Sequence, residues 1–201
     1  MAGHDSGYHS RMHRDALLDL LAHYRDRYPE ESETIERCID FVRANERCFD
    51  RALSTGHVTG SGWLVSSDHQ KVLLTHHRKL DKWLQLGGHA DSDPDPLRVA
   101  LREAAEESGL TDLQPVFPEI FDLDIHPIRA RSDAPAHFHY DARFAIRATA
   151  GHEFTLSGES HDLAWIDIVD LENVTQEPSM LRMKRKWLQR MALYRKGSSA
   201  R

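Results

Sequence analysis

Residues 137–148 alternate between apolar and polar side chains over their whole length. The apolar positions are Phe138, Tyr140, Ala142, Phe144, Ile146 and Ala148, and the polar ones include His137, His139, Asp141, Arg143 and Arg147. Because successive side chains of a strand point to opposite faces of a sheet, this pattern predicts a strand with one buried face and one polar face.

Helical periodicity dominates the chain before this region. Residues 11–52 predict two helices that are broken at Tyr28-Pro29, the second starting near Ser32 and carrying apolar residues as far as Phe49. Residues 1–10 and 197–201 lack periodicity, so we expect both termini to be disordered.

Strand patterns then alternate with further helices. The remaining predicted elements are a hairpin over 58–75, an extended segment over 113–126, a strand over 163–168 and an amphipathic helix over 180–194. This mixture indicates an α/β domain with an N-terminal helical extension.

Composition restricts the classes of protein to consider. The 201 residues suit one domain, and 26 basic against 32 acidic residues give a net charge of −6, which disfavours non-specific binding to nucleic acid. Cys38 and Cys48 share a helix-like stretch, so we expect no disulfide and a cytoplasmic protein. The sequence shows no secretory signal and no apolar run of the ~20 residues that span a membrane.

One further helix carries an unusual set of carboxylates. Asp95 and Pro96 predict its start and Gly109 its end. Glu103, Glu106 and Glu107 share one face of this helix, where they repel one another and oppose the helix dipole. A divalent cation such as Mg²⁺ would explain them; a solvated acidic face paired with Arg98 and Arg102 is the alternative.

The surrounding segment resembles the Nudix box, G-x₅-E-x₇-R-E-U-x-E-E-x-G-U with U aliphatic. The matching residues are Gly88-x₅-Pro94-x₇-Arg102-Glu103-Ala104-x-Glu106-Glu107-x-Gly109-Leu110, and the departure is Pro94 in place of the first glutamate. The flanking segments Leu73-Leu74, Trp83–Gly88 and Leu163–Ile166 also resemble Nudix proteins, so the resemblance covers about residues 57–195.

This resemblance implies an α/β/α sandwich with a mixed sheet over residues 55–196, preceded by the helical extension 1–54. It implies a hydrolase that cleaves the diphosphate of a nucleoside diphosphate linked to another moiety, with Mg²⁺ or Mn²⁺ as cofactor. The implied metal ligands are Glu103, Glu106, Glu107 and the Gly87 carbonyl, and Arg102 would orient Glu103.

The general base and the substrate contacts stay open. Glu103 is one candidate base, and Glu159 or His161 in the loop before the late strand are others. Arg78, His139 and Arg143 are candidate contacts for phosphate or sugar, with Asp141 orienting His139. A His/Asp set of this kind can instead bind a metal, or form a polar outer face or a buried network.

A non-catalytic nucleotide-binding or sensor module is the alternative function, and Pro94 favours it. An isopentenyl diphosphate isomerase, which shares the fold, is rejected because neither cysteine lies in the strand region. Three roles are open for the N-terminal helices: a homodimer contact, a cover over the substrate pocket, or a cap on the sheet.

Overall fold

The structure is a computed structural model that describes residues 6–77, 80–131, 134–149 and 160–198. Its helices are α1 (Ser6–Arg27), α2 (Ser32–Ala44), α3 (Pro96–Ser108) and α4 (Pro178–Ser198), with 3₁₀ turns at Pro29–Glu31 and Ile168–Asn173. Its strands are β1 (Gly56–Val65), β2 (Lys71–His77), β3 (Lys82–Leu84), β4 (Leu86–His89), β5 (Leu113–Pro115), β6 (Asp122–Ile128), β7 (His137–Ala148) and β8 (Ser160–Asp167).

The eight strands form one mixed sheet. β1 and β7 lie at its centre and pair in parallel from Gly56↔Phe138 to Val65↔Arg147, and the remaining pairs are antiparallel. The other edge of β1 is shared by β4 and β2, and the other edge of β7 by β5 and β6. The core of the sheet is therefore built from segments that are far apart in sequence.

Each face of the sheet packs against helices, as an α/β/α sandwich requires. On one face, Leu64 and Phe144 join a buried cluster that includes residues of α1, α2 and α3, such as Leu21 and Val99. On the other face, Trp63, Val65 and Ala145 pack with Met180, Met183 and Trp187 of α4. The alternation predicted for residues 137–148 is confirmed, because their apolar side chains join the first cluster.

Two local predictions from the sequence are wrong, and the predicted hairpin is confirmed as an antiparallel pair with a short register. Residues 6–10 continue α1 rather than being disordered; they contain no proline that would end it. The second helix ends at Ala44, because Asn45 adopts an extended conformation; its backbone N–H and its side-chain amide both donate to the Phe41 carbonyl, at 3.1 and 2.8 Å. The hairpin is limited to the pair Val65↔Val72, because β4 occupies the preceding part of that edge.

Two other observations concern the termini and the cysteines. Cys38 and Cys48 are buried free thiols. Helix α4 reaches Ser198, and residues 199–201 lie outside the described part of the chain. Among the described residues, no helix combines the length and apolar character needed to cross a bilayer.

Candidate active site

Helix α3 begins and ends where the sequence predicts. The Asp95 carboxylate accepts hydrogen bonds from the backbone N–H groups of Leu97 and Arg98, at 3.1 and 3.2 Å. Pro96 is the first helical residue, where its missing N–H is no loss. Gly109 follows the helix with φ of 72°, a left-handed conformation that glycine adopts without strain. These boundaries fix the position of the glutamates within the helix.

Glu103 lies directly against the glycine segment that precedes the helix. A Cβ on Gly88 would overlap the Glu103 carboxylate, so only glycine allows this approach. Arg102 donates one hydrogen bond to the Glu103 carboxylate and one to the His89 carbonyl, each at 2.8 Å. The arginine therefore connects β4 to the glutamate face of α3.

The other two glutamates differ in exposure and contacts. Glu107 accepts a hydrogen bond from the backbone N–H of Gly87 at 2.8 Å, which places its carboxylate beside the same glycine segment of β4. The side chain of Glu106 is 65% exposed, compared with 19% for Glu103. The face thus runs from a half-enclosed carboxylate to one that is open to solvent.

Electrostatics makes Glu103 distinct from an ordinary surface glutamate. Burial raises the pKa of Glu103 above its usual value, and the charges of Glu106 and Asp91 add to this shift. The hydrogen bond from Arg102 acts in the opposite direction without cancelling it. A site that disfavours its own negative charge in this way is stabilised by an added cation.

The oxygen donors of this helix face and of β4 are of the type that suits a hard divalent ion. Glu103, Glu106 and Glu107 offer carboxylate oxygens from one helix face, and Gly87 adds a backbone carbonyl at the strand that Glu107 contacts. Mg²⁺ and Mn²⁺ prefer oxygen ligands of this kind. The absence of a Cβ at Gly88 also lets the backbone approach a ligand beside Glu103.

Arg143 lies in a buried ion-pair network on the other face of the sheet from α3. Its side chain is 3% exposed, and its guanidinium lies 2.7 Å from Asp141 and 3.2 Å from both Asp122 and Asp124. The sequence predicts a substrate contact for Arg143, and this geometry favours a positioning role instead, since its charge is already neutralised within the sheet.

Asp122 connects this network to α4. Its carboxylate accepts hydrogen bonds from Arg182 at 2.8 Å and from Lys186 at 2.7 Å. Burial opposes ionisation of Asp122, but the Arg182 hydrogen bond and the charges of Arg143 and Lys186 outweigh it and hold the pKa below its usual value. The network therefore stays charged and fixes α4 on the sheet.

His139 does not receive the partner that the sequence suggests. Asp141 accepts hydrogen bonds from the Thr59 and Ser61 hydroxyls, at 2.9 and 2.7 Å, and from Arg143. His139 instead packs among four other histidines, with ring centroids 4.7 Å from His57, 5.2 Å from His89 and 5.3 Å from both His126 and His137. Burial lowers the pKa of His139 to about 2, so the ring is neutral near pH 7.

Strand pairing explains how these polar residues meet. His57, Thr59 and Ser61 of β1 lie opposite His139, Asp141 and Arg143 of β7. On the next strand, β6 places His126, Asp124 and Asp122 opposite the same three residues of β7. Paired residues share a face, so three rows of polar side chains cross the sheet.

Several predicted site residues lie outside this description. Arg78 and Glu159 are outside the described residues, and the side chain of His161 is likewise not described. Near Pro94, the Asp93 carboxylate accepts a hydrogen bond from Arg98 at 2.7 Å, so it is paired with this arginine rather than with the glutamate site.

Sequence reasoning missed the residues that other strands add to the polar face. His57, His126, Asp122 and Asp124 were not singled out as site residues. A signal for one strand was present, because His57, Thr59 and Ser61 alternate along a wholly buried strand in the same way as His139, Asp141 and Arg143. A matching period of polar residues on two buried strands predicts that they share a face.

Comparison with known proteins agrees with this geometry. The family model of the NUDIX domain matches residues 56–191. A hydrolase of the NUDIX family from Clostridium perfringens is 30% identical, with a TM-score of 0.50 over 65% of this chain and 95% of its own. A search of curated proteins finds no match.

Two other solved structures share the fold at lower identity. The C. elegans Ap4A hydrolase binary complex is 17% identical, with a TM-score of 0.55 over 67% of this chain and 97% of its own. The NUDIX domain of Shewanella oneidensis NrtR, complexed with ADP ribose, is 16% identical, with a TM-score of 0.50 over 70% and 92%. Since the family model spans more than half of the sequence and the box glutamates lie together on α3, this chain belongs to the Nudix family of hydrolases.

Proposed function

We propose that this protein is a divalent-metal-dependent hydrolase that cleaves the diphosphate linkage of a nucleoside diphosphate joined to another moiety. The observation that carries the proposal is the arrangement of Glu103 and Glu107 against Gly87 and Gly88 of β4. Stability of the fold alone does not explain a half-buried glutamate whose pKa is raised by burial and by neighbouring carboxylates.

Each of these groups has a proposed part in the reaction. Glu103, Glu106, Glu107 and the Gly87 carbonyl would hold Mg²⁺ or Mn²⁺, which would neutralise charge on the phosphoryl oxygens and lower the pKa of water. Arg102 keeps Glu103 oriented through its 2.8 Å hydrogen bond. Glu103, Glu159 and His161 stay the candidates for the base that removes a proton from the attacking water.

The substrate contacts are proposed from the sequence and the neighbouring strands. Arg78 lies in the basic segment after β2 and is a proposed phosphate contact. His139 lies beside the other imidazoles of the polar face, and its ring, neutral near pH 7, can donate or accept a hydrogen bond to a sugar or phosphate. Arg143 is proposed to act by holding Asp141 and the strands around it rather than by touching substrate.

A second candidate function rests on Pro94. The box glutamate is absent at this position, and Asp93 forms an ion pair with Arg98 rather than turning toward the glutamates. A nucleotide-binding module without catalysis would tolerate this loss.

A substrate panel separates the two functions. Purified protein is incubated with ADP-ribose, sugar nucleotides, dinucleotides, coenzyme A and nucleoside triphosphates, in Mg²⁺, Mn²⁺ or chelator, and phosphate is measured after a phosphatase is added. The hydrolase predicts metal-dependent release from one compound class. Ligand-dependent thermal stabilisation without release from any compound would support the binding module instead.

A further inference from the structure

The histidines at one end of the polar face form a compact cluster. His57 comes from β1, His137 and His139 from β7, His89 from β4 and His126 from β6. One ligand atom from each of His57, His137 and His139 lies within 4.8 Å of the others. No other set of three potential ligand groups in the described part of the chain meets this distance. Four strands of a single sheet thus bring the five imidazoles together, and two of these strands, β1 and β7, supply the set of three.

The interior of the cluster contains ring nitrogens without partners. His57 is 2% exposed, and neither its Nδ1 nor its Nε2 has a hydrogen-bond partner among the residues that the structure describes. The Nε2 of His139 is also buried and has no partner among these residues. A buried polar group left unpaired costs about 1–3 kcal/mol, so close packing of rings alone is a poor reason for placing three such nitrogens together.

Hydrogen bonds at the edge of the cluster fix which nitrogens face inward. The Nδ1 of His137 lies 2.8 Å from the Pro135 carbonyl, so it must donate its proton there, which leaves a lone pair on Nε2. The Nδ1 of His126 is paired in the same way with Asp124 at 3.2 Å. A metal-binding histidine ordinarily donates its second ring nitrogen to a carbonyl or carboxylate in this manner.

We propose that His57, His137 and His139 form a binding site for a Zn²⁺-class transition-metal ion. Imidazole nitrogens suit Zn²⁺ and its neighbours better than Mg²⁺. Zinc binds imidazole at 2.0–2.1 Å, so the nitrogens of a tetrahedral site lie about 3.3 Å apart, a distance that small rotations of these side chains can reach. Three protein ligands leave a fourth position for water or for a group of the substrate.

This site is distinct from the glutamate site on α3. In β4, Gly88 pairs with Gly60 and faces α3, where it contacts Glu103. The next residue, His89, pairs with Thr59 and points to the opposite face, beside His57. The two sites therefore lie on opposite faces of the same short strand, and their ligand chemistries differ.

Zinc and cobalt binding to untagged protein tests the proposal. Calorimetry with Zn²⁺ is compared between the wild type, His57→Gln, His139→Gln and His137→Gln, and Co²⁺ provides a visible spectrum that reports a tetrahedral nitrogen site. We expect one Zn²⁺ to bind the wild type, and each histidine variant to weaken this binding at least about tenfold and to remove the tetrahedral Co²⁺ bands.

Two control variants make the result specific. His23→Gln changes an exposed histidine of α1, and Glu107→Gln changes the other site; we expect both to bind Zn²⁺ at the histidines as the wild type does. His137 is half-buried at the start of β7, so its variant keeps the test valid if His57→Gln does not fold. The proposal is overturned if the wild type binds no Zn²⁺, or if binding survives all three histidine variants or disappears in Glu107→Gln.

Discussion

At the scale of single residues, the same side-chain type has different roles according to its neighbours. Glu103 is half-buried near other carboxylates, and both effects raise its pKa. Asp122 is fully buried, which opposes its ionisation, but the surrounding cations outweigh burial and lower its pKa. The first environment attracts a cation from outside, and the second is already neutralised from within. Carboxylates near the sheet thus divide into candidate metal ligands and parts of the scaffold.

Asp122 gives a prediction about stability. Asp122→Asn removes the fully buried carboxylate that Arg143, Arg182 and Lys186 share. The carboxylates that still pair with these three cations inside the network are Asp124, Asp141 and Glu31. We expect the free energy of unfolding at pH 7 to fall by about 3–5 kcal/mol, measured by urea denaturation. Asp15→Asn, on the exposed side of α1, is the matched control and should have little effect.

The same variant predicts a pH dependence with a definite sign. The folded-state pKa of Asp122 lies below its ordinary value of about 3.8, so the carboxylate stabilises the fold above that pH and loses this effect as pH falls through the folded pKa. The difference between wild type and Asp122→Asn should therefore narrow below about pH 3.8. A difference that stays constant with pH would mean that packing, not charge, causes the loss.

At the scale of secondary-structure elements, the sequence predicts those helix and strand bounds that neighbouring residues determine. Asp95, Pro96 and Gly109 specify α3 within a few residues, because caps act over one turn. β7 was predicted at its observed bounds because its alternation is long and unbroken. The end of α2 was missed because the chain becomes extended at Asn45 while the apolar period of the sequence continues as far as Phe49.

Helix α3 provides a prediction at this scale. Asp95→Ala removes the acceptor for the N–H groups of Leu97 and Arg98, so the free energy of unfolding should fall by about 1 kcal/mol. Asp95→Asn keeps an acceptor oxygen and should lose much less. Thermal or urea unfolding measures both, and an equal loss in the two variants would show that charge rather than the cap hydrogen bond stabilises this end.

At the scale of the whole molecule, the N-terminal helices are integrated with the sheet. Tyr24 of α1 accepts a hydrogen bond from the backbone N–H of Leu123 at 3.1 Å, and Lys186 of α4 lies 2.6 Å from Glu31. Phe41 of α2 stacks on Tyr140 of β7 with ring centroids 3.8 Å apart. Of the three roles open from the sequence, these contacts favour a cap on the sheet, and a homodimer contact stays a prediction.

The candidate site could be predicted only in part. Residues that are close in sequence show by their spacing that they share a face, whereas residues that are far apart meet only through strand pairing. The glutamates of α3 lie within one helix, so their spacing shows that they share a face. The histidine cluster joins residues as far apart as His57 and His139, and only the pairing of β1 with β7 brings them together. Likewise, two acidic partners of Arg143, Asp122 and Asp124, lie on β6, whose register the sequence does not specify.

The central claim is that the glutamates of α3 support metal-dependent cleavage of a diphosphate. Its most direct test is the kcat of Glu107→Gln with the best substrate of the panel, in saturating Mg²⁺ or Mn²⁺. The amide keeps an oxygen that can accept from the Gly87 N–H but removes the negative charge.

We expect kcat to fall by at least about 10²-fold while the unfolding midpoint stays near that of the wild type. Glu33→Gln, on the exposed side of α2, should retain full activity. A Glu107→Gln protein that is folded and turns over at the wild-type rate would contradict the assignment of these carboxylates to the metal and, with it, the proposed mechanism.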